Sequence, residues 1–238
     1  MLTDAASSVI VPIHTIQHKL QNMRIKTLIC FAAAIAAGVA TSMAQSNVYS
    51  LNIVGYVNKT FTGGTPAKYT PVSNPLNTTN NTLNNLINGT NVPFGANFYQ
   101  WNGTGYNVAT FLGDSWDNNY NLDPGVGGFL LSDTTFTNTF VGEVVLDSTN
   151  HFNSGFSFKA SVVPQAADLD TLGLGSNLAF GDNVLLWNFG TQGFVTYTFL
   201  GGGTGGWDPS QPSVGVAESF FVNAAAAGNW VRHFTVGP

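Results

Sequence analysis

A few side chains in this sequence have the type and spacing that chemistry needs, and they cluster in two places. Asp117-x-Asn119-x-Asn121-x-Asp123 sets oxygen-bearing residues at alternate positions, as a calcium loop does. Such a loop needs six to eight oxygens, a glycine at its sixth place and a bidentate acid at its twelfth. Those places hold Leu122 and Gly128, so an Asn-rich surface turn is the preferred reading and neither metal nor cofactor is expected. Asp117 recurs as Asp208, each directly after a tryptophan (Trp116 and Trp207). Two carboxylates across a cleft are what a glycosidase uses. Aspartates in turns more often cap backbone amides, so a hydrolase is the least favoured reading. His151 and His233 have no acidic neighbour at metal-ligand spacing, and neither H-E-x-x-H nor G-x-S-x-G occurs. No enzyme is expected. Trp116 and Trp207 lie in Gly- and Asp-rich loops and are the tentative carbohydrate-binding residues, because an indole face suits a pyranose ring.

These residues sit inside a repeated pattern. Asn81–Asn102 aligns with Ala167–Asn188 at an offset of 86 without gaps, and 9 of 22 positions are identical. Among them are Leu83/Leu169, Gly89/Gly175, Phe94/Phe180 and Trp101/Trp187. Thr110-Phe111-Leu112-Gly113 returns as Thr198-Phe199-Leu200-Gly201, Trp116-Asp117 as Trp207-Asp208, and Phe129 aligns with Phe220. Val54-Gly55-Tyr56-Val57 aligns upstream with Val141-Gly142-Glu143-Val144. Offsets grow only in turns and in the run Gly201–Gly206, where insertions cost little. A duplication is the reading, with units at 45–140 and 141–238 and the segment 139–144 resembling both the end of one and the start of the other.

Each unit alternates short β-type runs with turn residues. Phe98–Trp101 and Tyr106–Leu112 flank Asn102-Gly103-Thr104-Gly105, a hairpin signal, and Val184–Trp187 and Phe194–Leu200 repeat it. Val195, Tyr197 and Phe199 share a face by period 2. Further strands are expected at Val48–Val57, Phe129–Leu131, Thr137–Val145 and Trp230–Val236. One short helix per unit is expected after Thr82 and Asp168, both plausible N-caps. The expected fold is therefore mainly β: a β-sandwich or a pair of small β-barrels.

Composition supplies an address. Met23-Arg24-Ile25-Lys26 precedes the apolar run Leu28–Val39 and the small-residue site Ser42-Met43-Ala44. This is the pattern of a bacterial secretory signal, with 1–44 as extension plus signal and cleavage after Ala44. The run is too short for a spanning helix, which needs about 20 residues. Cleavage reduces 7 basic residues to 4 and 12 acidic to 11, leaving a net charge of −7 on 194 residues. An acidic, weakly charged chain does not suit nucleic acid. The one cysteine, Cys30, lies within the signal run, so no disulfide is expected.

An ordered set of motifs carries a resemblance: Val54-Gly55-Tyr56-Val57-Asn58, Ser73-Asn74-Pro75-Leu76-Asn77, Trp101-Asn102-Gly103-Thr104-Gly105-Tyr106, Val163-Pro164-Gln165-Ala166, Gly206-Trp207-Asp208-Pro209-Ser210-Gln211-Pro212 and Glu218-Ser219-Phe220-Phe221-Val222-Asn223. It resembles the uncharacterised secreted proteins abundant in the Verrucomicrobia and Planctomycetes group of bacteria. That resemblance implies export and duplication and carries no activity or site residue. The expectation is an exported, non-enzymatic structural or adhesive protein, extracellular, at the cell surface or periplasmic. Polysaccharide or a second copy of the chain are its expected partners, and a carbohydrate-binding module is the alternative.

Overall fold

The computed structural model describes residues 53–201 and 206–235, all within one compact unit, Asn52–Pro238. The signal-type segment 1–44 and its cleavage point lie outside the described residues.

Alternation of apolar and polar residues builds the first half. Strands β1 (Val54–Phe61), β2 (Lys68–Ser73), β3 (Asn97–Trp101), β4 (Tyr106–Thr110), β5 (Gly127–Ser132) and β6 (Phe136–Glu143) are joined by turns, with a single-turn helix α1 (Leu83–Leu86) after β2. β1 and β6 form a two-stranded antiparallel ladder, and the other four form a sheet in the order β2-β5-β3-β4. Pro71 lies in β2, at the end of that order, where its missing N–H costs no ladder bond. Between ladder and sheet lies a core that includes Phe61, Phe98, Phe111, Leu130 and Phe140. Leu83 and Leu86 of α1 plug it.

The second half repeats this order of pairing. Its strands are β7 (Asp147–Phe152), β8 (Gly155–Ala160), β9 (Ala167–Asp168), β10 (Asn183–Asn188), β11 (Gly193–Phe199), β12 (Trp207–Asp208), β13 (Ser213–Val214), β14 (Ser219–Ala224) and β15 (Gly228–His233). β7 pairs with β15 as β1 does with β6, and the large sheet runs β8-β14-β10-β11-β12. A separate core contains Phe152, Leu172, Val184, Phe220 and Trp230. Every large sheet among the described residues is open at both ends, so the expected alternative of paired small barrels does not hold. Their strands are too few and too short to close.

Three local expectations are corrected. Leu169–Leu172 forms a turn followed by a short 3₁₀ segment, Gly175–Asn177, so only the first half carries an α-helix. Asp168 does make the capping bond, from Thr171 N–H at 2.7 Å, but Gly173 takes a φ of +76° and ends the turn there. Thr82 caps α1 by position alone, with no side-chain bond. Second, the ladders set Phe129 opposite Pro71 and Tyr99, and Phe221 opposite Phe158 and Leu185. Phe129 therefore matches Phe221, not Phe220, and a one-residue slip in a strand exchanges its faces. Third, β6 runs unbroken through residues 140 and 141, and Val54-Gly55-Tyr56 is the antiparallel partner of Val141-Gly142-Glu143 rather than its counterpart.

The halves meet through an aromatic cluster of Phe129, Phe158 and Phe221, with Tyr69, Tyr99, Trp101, Leu185 and Trp187 against it. The bonds across it are reciprocal. Trp101 donates its indole N–H to the Phe156 carbonyl at 3.2 Å, and Trp187 donates to the Tyr69 carbonyl at 3.1 Å. Ser73 N–H reaches Ala217 O at 3.2 Å, and Ala160 N–H reaches Gly125 O at 3.1 Å. Ring centroids repeat the exchange: Trp101–Phe221 at 5.2 Å and Trp187–Phe129 at 4.9 Å. Gly127 sits where a Cβ would lie 2.8 Å from Cβ of Ser219, its own positional counterpart.

Candidate functional site

The residues singled out for chemistry are mostly occupied with holding the fold. Trp116 is only 3% exposed and Trp207 only 4%, so neither offers a ring face to a sugar. Apolar surface of that size is worth roughly 1.5–3 kcal/mol when withdrawn from water, and the cores take it. Trp116 packs edge-on to Phe98 and against Phe111, and donates to the Ile87 carbonyl at 2.6 Å. Trp207 packs on Phe199 at 5.0 Å and donates to Asp170 Oδ1 at 2.9 Å. The expected carbohydrate platform on these two tryptophans is thus corrected: they are core residues that happen to be reached from Gly-rich loops.

The calcium-like run is exposed, and its side chains are taken up by hydrogen bonds within the protein. Asp117 Oδ1 accepts from Thr110 N–H at 2.7 Å, Asn119 Oδ1 from Asn84 N–H at 2.9 Å, and Asp123 Oδ1 from Asn81 Nδ2 at 3.1 Å. Asn121 donates to Asp123 Oδ2 at 2.9 Å. The four side chains tie the loop to the segment 81–84 and to β4, as turn residues do. Asp208 pairs with Thr198 at the edge of the second sheet, while Asp117 belongs to the first. The two carboxylates thus stand on different sheets. His233 does have an acidic neighbour, Asp147 at 2.7 Å across the β7·β15 ladder. His151 Nδ1 lies 3.0 Å from Asn229 Oδ1.

A concave site occurs in the second half, where the turn 168–175 replaces a helix. It encloses about 730 Å³ and is lined by Asp168, Asp170, Leu178, Phe180, Phe199 and Gln211, among others. Asp168 accepts from Thr171 N–H, Thr171 Oγ1 and Gln211 Nε2 at 2.7, 2.9 and 2.7 Å. The Thr171 amide foremost, with the Thr171 hydroxyl, holds its carboxyl below the ordinary value of 3.8 against a smaller opposing effect of burial. Asp170 is fixed by the Trp207 indole through Oδ1. Gly175 makes room for it, since a Cβ there would stand 2.1 Å from that oxygen. The rim carries Phe180, 77% exposed. The corresponding first-half residues, Thr82, Asn84 and Phe94, offer an aromatic but no carboxylate. The alignment contained Asp168, Asp170 and Phe180, but their convergence depends on the turn at Gly173, which the leucine spacing concealed.

Among the described residues no group of three or more His, Cys, Asp or Glu side chains is placed to hold a metal ion. No helix among them is long and apolar enough to cross a membrane. No protein-family model, curated protein or solved structure matches the chain.

Proposed function

We propose that this chain is an exported, non-enzymatic protein of the cell envelope or extracellular space, structural or adhesive in role, built from a duplicated β-sandwich-like unit. The duplicated build is supported by the reciprocal exchange of Trp101 and Trp187 onto the Phe156 and Tyr69 carbonyls. Such i-to-j and j-to-i contact is the hallmark of a two-fold interface. The non-enzymatic reading is carried by the burial of Trp116 and Trp207 in the cores. The side chains that could have served catalysis are engaged instead in turns and cores. The signal-type segment supports export, and a surface with little charge to oppose strand-edge pairing supports self-association.

The test is expression of the full chain in a bacterial host, followed by fractionation and N-terminal sequencing. The expected result is a processed form beginning at Gln45 that is recovered outside the cytoplasm and sediments with envelope or matrix material. An unprocessed chain confined to the cytoplasm overturns the reading.

A further inference from the structure

We infer that the groove beside the turn 168–175 is a binding site for an uncharged polyhydroxylated ligand, a segment of neutral polysaccharide, with Phe180 as the stacking surface and Asp170 as the principal acceptor. The inference rests on the adhesive reading above and names what is adhered to. Its volume, about 730 Å³, lies in the range of small-ligand sites.

Four observations converge there. Phe180 exposes 77% of its surface, at the rim of the groove. Its counterpart Phe94 is 75% exposed and identical, although 13 of the 22 aligned positions differ. Asp170 is pre-oriented, one oxygen held by the Trp207 indole at 2.9 Å, while no described group bonds the other. A carboxylate so fixed accepts a sugar hydroxyl with charge assistance and little ordering cost. Asp168, held by Thr171 and Gln211 through both oxygens, stiffens the wall and adds negative charge. Arg232, which holds the Thr171 carbonyl at 3.0 Å and Gln165 Oε1 at 2.9 Å, is not among the residues that line the groove, and the two carboxylates there disfavour a polyuronate or sulfated chain. The C–H face of a neutral sugar instead matches the Phe180 ring.

The experiment is affinity electrophoresis of the exported protein in native gels containing a mixed-linkage β-glucan, xyloglucan or galactomannan, with alginate as the polyanionic control. Retardation by at least one neutral polymer and none by alginate is expected. Phe180→Ala and Asp170→Asn should each weaken that retardation by about tenfold, while Phe94→Ala leaves it unchanged. Asparagine keeps an acceptor for the Trp207 indole, and matching far-UV spectra and melting temperatures exclude a folding defect. Retardation that persists in both variants, equal retardation by alginate, or none by any neutral polymer overturns the inference. Export and sedimentation with envelope material, measured separately, would leave the adhesive reading standing in each of those cases.

Discussion

Trp187 and Trp101 do a job that alanine cannot and phenylalanine does only in part. Each fills the aromatic cluster and also satisfies a carbonyl of the opposite half. Trp187→Phe keeps most of the packing but leaves the Tyr69 carbonyl to Gln192 Nε2 alone, at 3.5 Å. We expect a loss of about 1–3 kcal/mol in urea unfolding, rising to about 3–5 kcal/mol for Trp187→Ala. Gly127→Ala tests the close approach directly. Its Cβ would stand 2.8 Å from Ser219 Cβ and 3.0 Å from the Phe158 ring, a clash costing about 1–3 kcal/mol. Gly105→Ala, with nothing within 4 Å, is the control and should change the urea midpoint little. Asp168 gives a pH-dependent prediction. Its folded carboxyl titrates below the ordinary value, so its contribution is present above that value and fades as pH falls through the folded pKa. Wild type should therefore exceed Asp168→Asn in thermal stability near neutral pH, and the gap should close as the medium is acidified.

Among the strands and turns, the legible features were those with local chemistry. Asn102–Gly105 forms the expected hairpin, with Asn102 Oδ1 accepting from the Thr104 and Gly105 amides. The Val195–Tyr197–Phe199 face is the inner one of β11. What the sequence concealed depended on distant partners. β2, β7 and β8 were missed because Lys68–Ser73, Asp147–Phe152 and Gly155–Ala160 carry Pro, Asn or Ser among their apolar residues and become strands only beside β5, β15 and β14. Burial of Trp116 and Trp207 was hidden because loop composition says nothing of where a loop's side chain points. The ladders β1·β6 and β7·β15 also show compensation. Phe61 stacks on Phe136 at 4.8 Å, whereas Phe152 faces Gly228, where a Cβ would meet its ring at 2.5 Å. Asn138 and Trp230 then perform one task, donating to the Leu86 and Leu172 carbonyls at 2.9 and 2.7 Å. Trp230→Phe should lower the melting temperature by removing that tether from the turn 168–175, and differential scanning calorimetry reads it.

At the scale of the molecule, the described residues form two cores with one aromatic cluster between them. Because backbone as well as side-chain bonds cross that cluster, neither half loses structure without stripping the other of partners. Urea unfolding should be one cooperative transition, coincident by tryptophan fluorescence and far-UV circular dichroism. Two separated transitions would show the halves to be energetically independent.

The junction between the halves adds a mechanical property. Val144 N–H bonds the Ile53 carbonyl and Phe234 N–H bonds the Leu146 carbonyl, both at 2.7 Å. Residues 144 and 146 are separated by no more than about 7 Å of extended chain. Ile53 and Phe234 are therefore stitched to the same short connector. Tension applied through the polypeptide on either side of them would peel β1 from β6 and β15 from β7 one rung at a time, like a zip fastener. These two straps carry core residues, Phe61 and Phe140 on one and Phe152 and Trp230 on the other, and Trp230 also tethers the turn 168–175, so a strap that gives loosens the cores and the groove with it.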